Sequence, residues 1–209
     1  MADVQQRLSK SERTRESILT VAERLFSEKG FDATSLDAIG TEAGIQGTAI
    51  LYHYPTKREL YEAVLDRIFM PLLEEMDAQL GAEAPLQDRL VAFTSVMVRF
   101  AAQRPGAAKL ILRDSAAGSA DVKEIMGSAA APHWKRLLGV LESEGDTSGT
   151  DPLIVWNIIV GAVCFYYAAG PTVGGLPYDP RAPEMTAAFE KVMMDLTRSL
   201  STHKARRRT

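Results

Sequence analysis

The sequence has little of the chemistry on which most catalytic and metal sites depend. It contains a single cysteine, Cys164, and three histidines, His53, His133 and His203, that are far apart in the chain. One cysteine excludes an internal disulfide and a multi-cysteine zinc site, and no histidine has a second ligand three or four residues away. Neither a glycine-rich phosphate loop nor the spacing of a nucleophile elbow is present. The sequence therefore predicts no metal and no cofactor, and an all-helical enzyme stays only as an alternative.

The sequence also lacks the features of an exported or membrane protein. The chain opens with a polar stretch that has no apolar centre of the kind found in secretory signals. Its longest apolar run, LIVWNIIVGAVCFYYAA at 153–169, is polar only at Asn157 and reaches just the lower limit of a spanning helix. Helices that are apolar on all sides are otherwise buried ones, so this run predicts a helix between the core and a second subunit. We expect a cytoplasmic protein with no membrane partner.

Positive charge is not in excess. The net charge is −3, and residues 1–60 hold eight Lys or Arg against nine Asp or Glu. Domains that bind nucleic acid are usually basic, so composition alone argues against that class. Four basic residues nevertheless crowd the predicted flexible arm at 1–9 and the first helix after it, namely Arg7, Lys10, Arg13 and Arg15. These residues and the basic tail HKARRRT are open to two interpretations, a DNA contact or a solvated end.

Helical periodicity runs through the whole chain. Apolar residues recur three and four positions apart, and no segment alternates as a strand would. The pattern predicts an all-α fold of about nine helices. They cover approximately 10–28, 35–43, 46–53, 56–81, 86–103, 105–117, 121–144, 153–169 and 183–200. Pro71 predicts a kink in the fourth of these, because proline removes one backbone hydrogen bond.

The second and third predicted helices form a tight pair. Thr34 or Ser35 can cap the first of the two, and Gly44 can end it in the left-handed conformation. The other begins near residue 46 and carries Ile50 and Tyr54 on its buried side. A helix, a turn and a second helix of this length are typical of helix-turn-helix DNA readers, although other helical hairpins share the spacing.

The residues of this region narrow the choice, because they resemble the DNA-binding end of the TetR (tetracycline repressor) family of transcription regulators over about the first 65 residues. The matching residues are Ile18, Ala22, Leu25, Phe26, Gly30, Phe31, Thr34, Ser35, Ile39, Ala43, Gly44, Ile45, Tyr52, His53, Tyr54, Lys57 and Leu60. Two positions depart from the family pattern. Leu51 stands where a tyrosine is usual, and Gly40 stands where alanine is usual, which should loosen that helix by about 1 kcal/mol.

The resemblance implies that the second short helix reads double-stranded DNA. The expected DNA-binding residues are Thr34, Ser35, Gln46, Gly47, Thr48, Leu51, Tyr52, His53 and Lys57. Hydroxyl and ammonium groups would hold phosphates, and Gln46 could reach a base edge. Leu51 either packs on a thymine methyl group or is partly buried. His53 either contacts the DNA backbone or serves the scaffold.

The resemblance further divides the chain into a DNA-binding domain at 1–56 and a ligand-binding and dimerisation domain at 57–209. Aromatic and methionine side chains on converging helices predict a cavity for a small apolar effector, with plain core as the alternative. The candidate ligand-binding residues are Phe93, Met97, Phe100, Arg113, Met126, Trp134, Trp156, Asn157 and Tyr166. The two C-terminal helices are the expected seam of a homodimer, because one short reading helix contacts too few base pairs.

Together these features predict a dimeric transcription regulator. By resemblance it would be a repressor that leaves a palindromic operator when the effector binds. The acidic balance and Leu51 leave a second hypothesis open, a helical interaction module that keeps the hairpin but has lost DNA binding.

Overall fold

The computed structural model of the protein describes residues 9–117, 119–143, 152–169 and 179–201. Every regular element in these ranges is an α-helix, which confirms the predicted fold class. The predictions for the arm before residue 9, the segment 144–151, the loop residues 170–178 and the basic tail 202–209 lie outside the described residues.

Nine helices follow one another in the described ranges. They are α1 (Lys10–Lys29), α2 (Leu36–Ala43), α3 (Gly47–His53), α4 (Lys57–Leu80), α5 (Leu86–Gln103), α6 (Pro105–Ala117), α7 (Ala120–Ser143), α8 (Pro152–Ala168) and α9 (Pro183–Ser201). Their bounds lie within one residue of the predicted ones, because capping residues, glycines and prolines mark most of the ends. Helix α4 runs on through Pro71 to Leu80.

Local capping sets the ends of the first two helices. Helix α1 begins with a capping box, in which the Glu12 backbone N–H donates to Ser9 Oγ (3.2 Å) and the Ser9 N–H donates to the Glu12 carboxylate (2.7 Å). Ser35 caps α2 by accepting the Ala38 N–H at 3.1 Å. Helix α2 ends at Gly44, whose φ of 71° is the predicted left-handed conformation.

A first hydrophobic core lies beneath α1, α2 and α3. Ile18, Ile39 and Ile50 are fully buried in it, and the rings of Phe26 and Tyr61 meet edge to face with centroids 5.1 Å apart. The same core continues along the first half of α4 and takes in buried residues of α6 and α7. The base under the two short helices therefore draws on both sides of the division predicted at residue 56.

A second core fills the other end of the molecule. It gathers buried residues of α4, α5, α6, α7, α8 and α9, with α5 packed along α9 and α6 along α8. Helix α4 contributes Leu72, Met76 and Leu80 to this core and its first half to the other core. Helix α4 therefore contributes residues to both cores.

Two adjacent residues of α6 fasten that helix to the N-terminal part. The Tyr61 hydroxyl donates to the buried Asp114 carboxylate at 2.5 Å, and the Phe31 backbone N–H bonds the same carboxylate. Burial raises the pKa of Asp114, an effect that the Tyr61 hydrogen bond and the neighbouring Arg113 oppose. Arg113 Nη1 donates to the Ser27 carbonyl at 3.1 Å. Helix α6 therefore holds α1, the turn after it and α4 at once.

Among the described residues, no helix combines the length and the apolar character that crossing a membrane requires. In the same ranges, no three His, Cys, Asp or Glu side chains gather closely enough to hold a metal ion.

Replacing Tyr61 by phenylalanine removes a donor from a buried carboxylate. We expect the free energy of unfolding to fall by about 2 kcal/mol near neutral pH, because hydrogen bonds to charged groups are worth more than neutral ones. The bond stabilises the charged form and lowers the pKa of Asp114, so its contribution is present at higher pH and is lost as the carboxyl becomes protonated. Urea unfolding at several pH values measures both effects.

Tyr54→Phe is the matched control. The Tyr54 hydroxyl is also buried, and it has no partner with full hydrogen-bond geometry, although the Arg15 guanidinium lies close to it. Its removal should therefore change stability less than removal of the Tyr61 hydroxyl does. An equal loss in the two variants, or a loss for Tyr61→Phe that grows toward acid pH, would contradict the assigned hydrogen bond.

Candidate nucleic-acid interface and ligand cavity

Helices α2 and α3 cross at very short range because glycines stand at the crossing. A Cβ atom added to Gly40 would lie 2.7 Å from the backbone nitrogen of Gly47, and one added to Gly47 would overlap the Asp37 carboxylate. This close contact does not test the expectation that Gly40 loosens α2, but it gives a second reason for a glycine at this position. Gly40 is buried, and its missing side chain is what lets α3 lie directly against α2.

The crossing fixes which face of α3 points outward. Ile50 is fully buried and Tyr54 nearly so, which anchors the inner face. The outer face and the residue before it expose Gln46, Thr48, Leu51 and Tyr52. Tyr52 is 85% exposed and Leu51 is 43% exposed, so Leu51 fits the outward interpretation better than the buried one. These four side chains form the outer face of α3.

Thr34 does not belong to this surface. It is only 2% exposed, and its hydroxyl donates to the carbonyls of Gly30 (2.7 Å) and Leu25 (3.3 Å). The prediction that Thr34 contacts a phosphate is corrected, because its only donor is already used inside the protein. Ser35 is exposed at the start of α2 and accepts a backbone N–H there, which leaves its own hydroxyl hydrogen for a phosphate.

His53 and Lys57 are partly engaged by the protein itself. The His53 ring stands edge to face against Tyr52 with centroids 5.2 Å apart. Lys57 Nζ lies 4.4 Å from the Phe31 ring centroid and donates to the Asp32 carbonyl at 3.4 Å. Burial lowers the pKa of Lys57. A phosphate contact by Lys57 would therefore compete with its contact to the aromatic ring.

The acidic residues of the N-terminal part do not all face away from the outer face of α3. Glu42 pairs with Arg24, and the Asp32 carboxylate accepts the Ser119 N–H at 3.2 Å, so both are occupied. Asp37, in contrast, lies against the first turn of α3 at Gly47. Asp37 therefore does not face away from α3.

A cationic groove runs beside the α2–α3 turn. It has a volume of about 300 Å³ and is lined by Lys10, Arg13, Thr14, Ser17, Ala43 and Ile45. Neither Lys10 nor Arg13 has an acidic partner in the described part of the chain, whereas Arg15 stacks over the Tyr54 ring at 4.9 Å. We call this feature the basic groove. It brings two basic residues of α1 next to the turn that precedes α3.

The C-terminal half contains two adjoining cavities of about 420 and 310 Å³. The larger is lined by Leu65, Phe69, Leu72, Leu73, Met76, Met97, Ile111, Ser115, Lys123, Met126, Gly127, Trp156, Asn157 and Val160. The smaller is lined by Leu73, Met76, Asp77, Leu80, Phe93, Gly127, Ala131, His133, Trp134, Leu137, Trp156 and Asn157. Their sizes fall in the range of small-molecule sites.

Six of the nine residues predicted for ligand binding stand on these walls: Phe93, Met97, Met126, Trp134, Trp156 and Asn157. The other three belong to neither wall. Phe100 packs on Phe69 with ring centroids 6.0 Å apart, Arg113 holds the Ser27 carbonyl, and Tyr166 stacks on Phe189 with centroids 3.9 Å apart. They serve the core and the link to α1.

The cavity walls also include residues that sequence reasoning missed. Ser115 and Lys123 border the larger cavity, and Asp77 and His133 border the smaller one, with Asp77 Oδ2 3.2 Å from His133 Nδ1. Isolated polar residues on otherwise ordinary helices give no periodic signal, so only the packing of α4 against α7 identifies them.

Helices α8 and α9 leave an apolar surface uncovered in the single chain. Its members are Ile154, Ile158 and Phe165 on α8 and Val192 and Leu196 on α9. The spacing of these residues places them on one side of each helix. We call this surface the α8–α9 face.

The short helices are a helix-turn-helix DNA-binding unit, and comparison with known proteins identifies its family. Residues 18–64 match the family model of bacterial regulatory proteins of the tetR family. The chain is 31% identical over 105 residues to the HTH-type transcriptional regulator RutR of Escherichia coli (strain K12), covering 50% of this chain and 49% of RutR. These matches place residues 18–64 in the TetR family of bacterial regulatory proteins.

Solved structures extend the likeness to the whole fold. A TetR/AcrR-family regulator from Thermobifida fusca superposes with a TM-score of 0.58 at 24% identity, over 93% of this chain and 98% of that one. FadR from Bacillus subtilis, solved in complex with stearoyl-CoA, gives a TM-score of 0.67 at 16% identity, over 90% and 98%. At such identities the likeness concerns the fold alone. The chain aligns with about half the length of the curated relatives it matches.

The cavities can be tested by filling them. Gly127 lines both, and a Cβ atom there would meet no atom within 4 Å. Gly127→Leu should place a side chain in the space and weaken the binding of the neutral probe 1-decanol by about tenfold. The fluorescence of Trp134 and Trp156, the only two tryptophans of the chain, reports binding because both line the cavities.

Gly139→Leu is the control on the same helix. A Cβ at Gly139 also meets nothing within 4 Å, but this glycine borders neither cavity, so 1-decanol should bind unchanged. Equal affinities in the two variants would show that the probe binds elsewhere.

Proposed function

We propose that the protein binds a two-fold symmetric DNA operator as a homodimer, represses transcription there, and is released when a small apolar ligand enters the C-terminal cavities. The observation that carries the proposal is α3, a seven-residue helix with one face buried and the other, tipped by Tyr52, standing in solvent. A helix presented in this way can enter a major groove. We place the protein in the cytoplasm, where it can reach such an operator.

The residues on the outer face of α3 fall into two groups. One group would position the protein on the DNA backbone, and the other would contact the bases. Thr48 and Tyr52 carry hydroxyl groups that would donate to phosphate oxygens, which orient the protein without selecting a sequence. Gln46 is suited to a base edge, and Leu51 to a thymine methyl group. Specificity would then rest on few side chains per subunit, which is one reason to require a second copy.

The basic groove supports a further phosphate contact. Lys10 and Arg13 have no acidic partner among the described residues, so binding a phosphate would break no ion pair. Their position beside the α2–α3 turn would hold the DNA backbone that flanks the groove entered by α3. With few such contacts, the affinity should fall only moderately as salt rises.

The α8–α9 face supports the homodimer. Large apolar side chains exposed at regular helical spacing on two helices are typical of an interaction surface, and these residues lie far along the chain from the reading helix. Two copies related by a two-fold axis would bury it as a four-helix bundle. The symmetry of such a dimer matches a palindromic operator.

Helix α6 supports a route for release. Ile111 and Ser115 border the larger cavity, while Arg113 and Asp114 on another side of the same helix hold Ser27 and Tyr61. A ligand that displaces α6 would therefore pull on the base of the reading helix. It must prefer the displaced conformation, since equal affinity for both would shift nothing.

The apolar walls indicate the kind of ligand. Ten of the fourteen residues around the larger cavity carry no polar side-chain group. The structural neighbour FadR was solved with stearoyl-CoA, a molecule with a long apolar chain, which agrees with an apolar effector for this fold. We keep residues 1–56 as the DNA-binding part and 57–209 as the effector and dimer part, joined through the first core.

The proposal predicts different DNA-binding defects for two neighbouring variants. With DNA selected from random sequence, Tyr52→Phe should weaken specific and non-specific complexes alike by about fivefold, because it removes one phosphate donor. Leu51→Ala should change only sites with a thymine in contact, and replacing that thymine by deoxyuridine should abolish the difference. Electrophoretic mobility shifts measure both variants. A failure to select any sequence would favour an interaction module without DNA binding.

A charged residue introduced into the proposed dimer interface tests whether the α8–α9 face joins two subunits. Val192 is 62% exposed in the single chain, and Val192→Glu would bury an unpaired carboxylate between subunits. We expect a shift from dimer to monomer in sedimentation and loss of operator binding. Met70→Glu, an exposed apolar position on α4, is the control and should remain dimeric. A monomeric wild-type protein at micromolar concentration would contradict the seam.

A further inference from the structure

We propose that the natural ligand of the larger cavity is an amphiphile with a single anionic group, whose charge is bound by Lys123 and Ser115 at the cavity mouth. This inference rests on the ligand-binding part of the proposed function. It adds the chemistry of the ligand's polar end, which an apolar cavity leaves open.

The larger cavity has a polar mouth and an apolar floor. Ser115 on α6 and Lys123 on α7 are exposed, so the side of the cavity that they border opens to solvent. Leu72, Met76 and Met97 are almost completely buried and close the opposite side. A ligand that fills this space would lay its apolar part against the floor and keep its polar end at the mouth.

The charge at the mouth is positive and uncompensated. Among the described residues, the polar side chains that border the larger cavity are Ser115, Lys123, Asn157 and Trp156, and none of them is a carboxylate. In the described part of the chain, the Lys123 ammonium group has no hydrogen bond or ion pair. A cation beside an apolar cavity favours an anionic ligand group over a neutral or cationic one.

Two carboxylates near this site are already engaged, and a third lies on another side of its helix. Glu124, the next residue on α7, pairs with Arg58 at 3.3 Å, and Asp114 accepts the Tyr61 hydroxyl. Asp121 is two residues away on the same helix, and residues at that spacing do not face each other. Lys123 is therefore available to a ligand.

The neighbouring smaller cavity does not offer a second anion site. Its acidic residue, Asp77, lies 3.2 Å from His133 Nδ1 and 3.7 Å from Arg136 Nε. The Asp77 carboxylate would repel an anionic ligand group. The nearby His133 and Arg136 are already in contact with Asp77. The polarity of the two cavities thus orients an amphiphile in one direction, with its anion toward Lys123 and its tail toward Trp156.

Three probes of equal chain length test the charge preference: decanoate, 1-decanol and decylamine. At neutral pH decanoate is an anion and decylamine a cation. Titrations followed by the fluorescence of Trp134 and Trp156 give the three affinities. We expect decanoate to bind most tightly to the wild-type protein. Lys123→Gln should weaken decanoate about fivefold, since the partner is partly solvated, and leave 1-decanol unchanged.

Charge reversal separates a ligand contact from a structural role. Lys123→Glu should invert the order, so that decylamine binds more tightly than decanoate. Lys135→Gln is the control, because Lys135 lies exposed on the same helix but borders neither cavity. It should leave all three affinities unchanged.

The outcomes distinguish the two proposals. If 1-decanol binds at least as tightly as decanoate, or Lys123→Gln weakens both equally, the anionic preference is wrong while the ligand cavity stands. If none of the three probes changes the tryptophan fluorescence or the DNA affinity, the ligand-controlled function is contradicted as well.

Discussion

The contact of α2 with α3 through Gly40 and Gly47 is the constraint on which the DNA-binding surface depends. Without Cβ atoms at the crossing, α3 lies close enough to α2 for Ile50 to reach the core. Burying Ile50 turns Tyr52 outward. An alanine at Gly40 would meet backbone rather than a flexible side chain, so α3 would have to move. The orientation of the reading helix is thus decided by two missing side chains.

The packing that fixes the orientation of α3 continues into the rest of the molecule. The first core continues from α3 into α4 and α6, and α6 borders the larger cavity with Ile111 and Ser115. The buried Asp114 adds a directional contact, because a hydrogen bond to a charged acceptor specifies the position of Tyr61 more narrowly than apolar packing does. Helix α6 therefore contacts both the larger cavity and the core beneath the reading helix.

The sequence predicted the helices and the turn well because both follow local rules. Apolar spacing and capping residues placed every helix end within one residue, and Gly44 marked the left-handed turn. The sequence could not predict side-chain orientations that depend on residues distant in the chain. Thr34 and Ser35 are both good caps, and only the carbonyls of Leu25 and Gly30 decide that Thr34 turns inward.

The prediction of cavity-lining residues was limited in the same way, because it also depends on how distant helices pack. Aromatic residues at helical spacing suggested apolar walls, and Phe93, Trp134 and Trp156 do border the cavities. The same pattern in Phe100 and Tyr166 belongs to the core. Lys123 resembles any surface lysine in the sequence, and its place at the mouth follows from how α7 packs on α4. Gly40 was expected only to loosen α2, because the sequence does not show its close contact with residues beyond its own helix.

The central claim is that two outward-facing α3 helices sit one DNA turn apart and move when the cavity is filled. A spin label at Ala49→Cys, an exposed position on α3, measures their separation by pulsed dipolar spectroscopy. Labelling is selective because burial raises the pKa of Cys164, the chain's own cysteine, to about 11. The account predicts a separation of about 35 Å without ligand and a different one with decanoate bound. A distance that fits no multiple of the DNA repeat, or one that decanoate leaves unchanged, would contradict it.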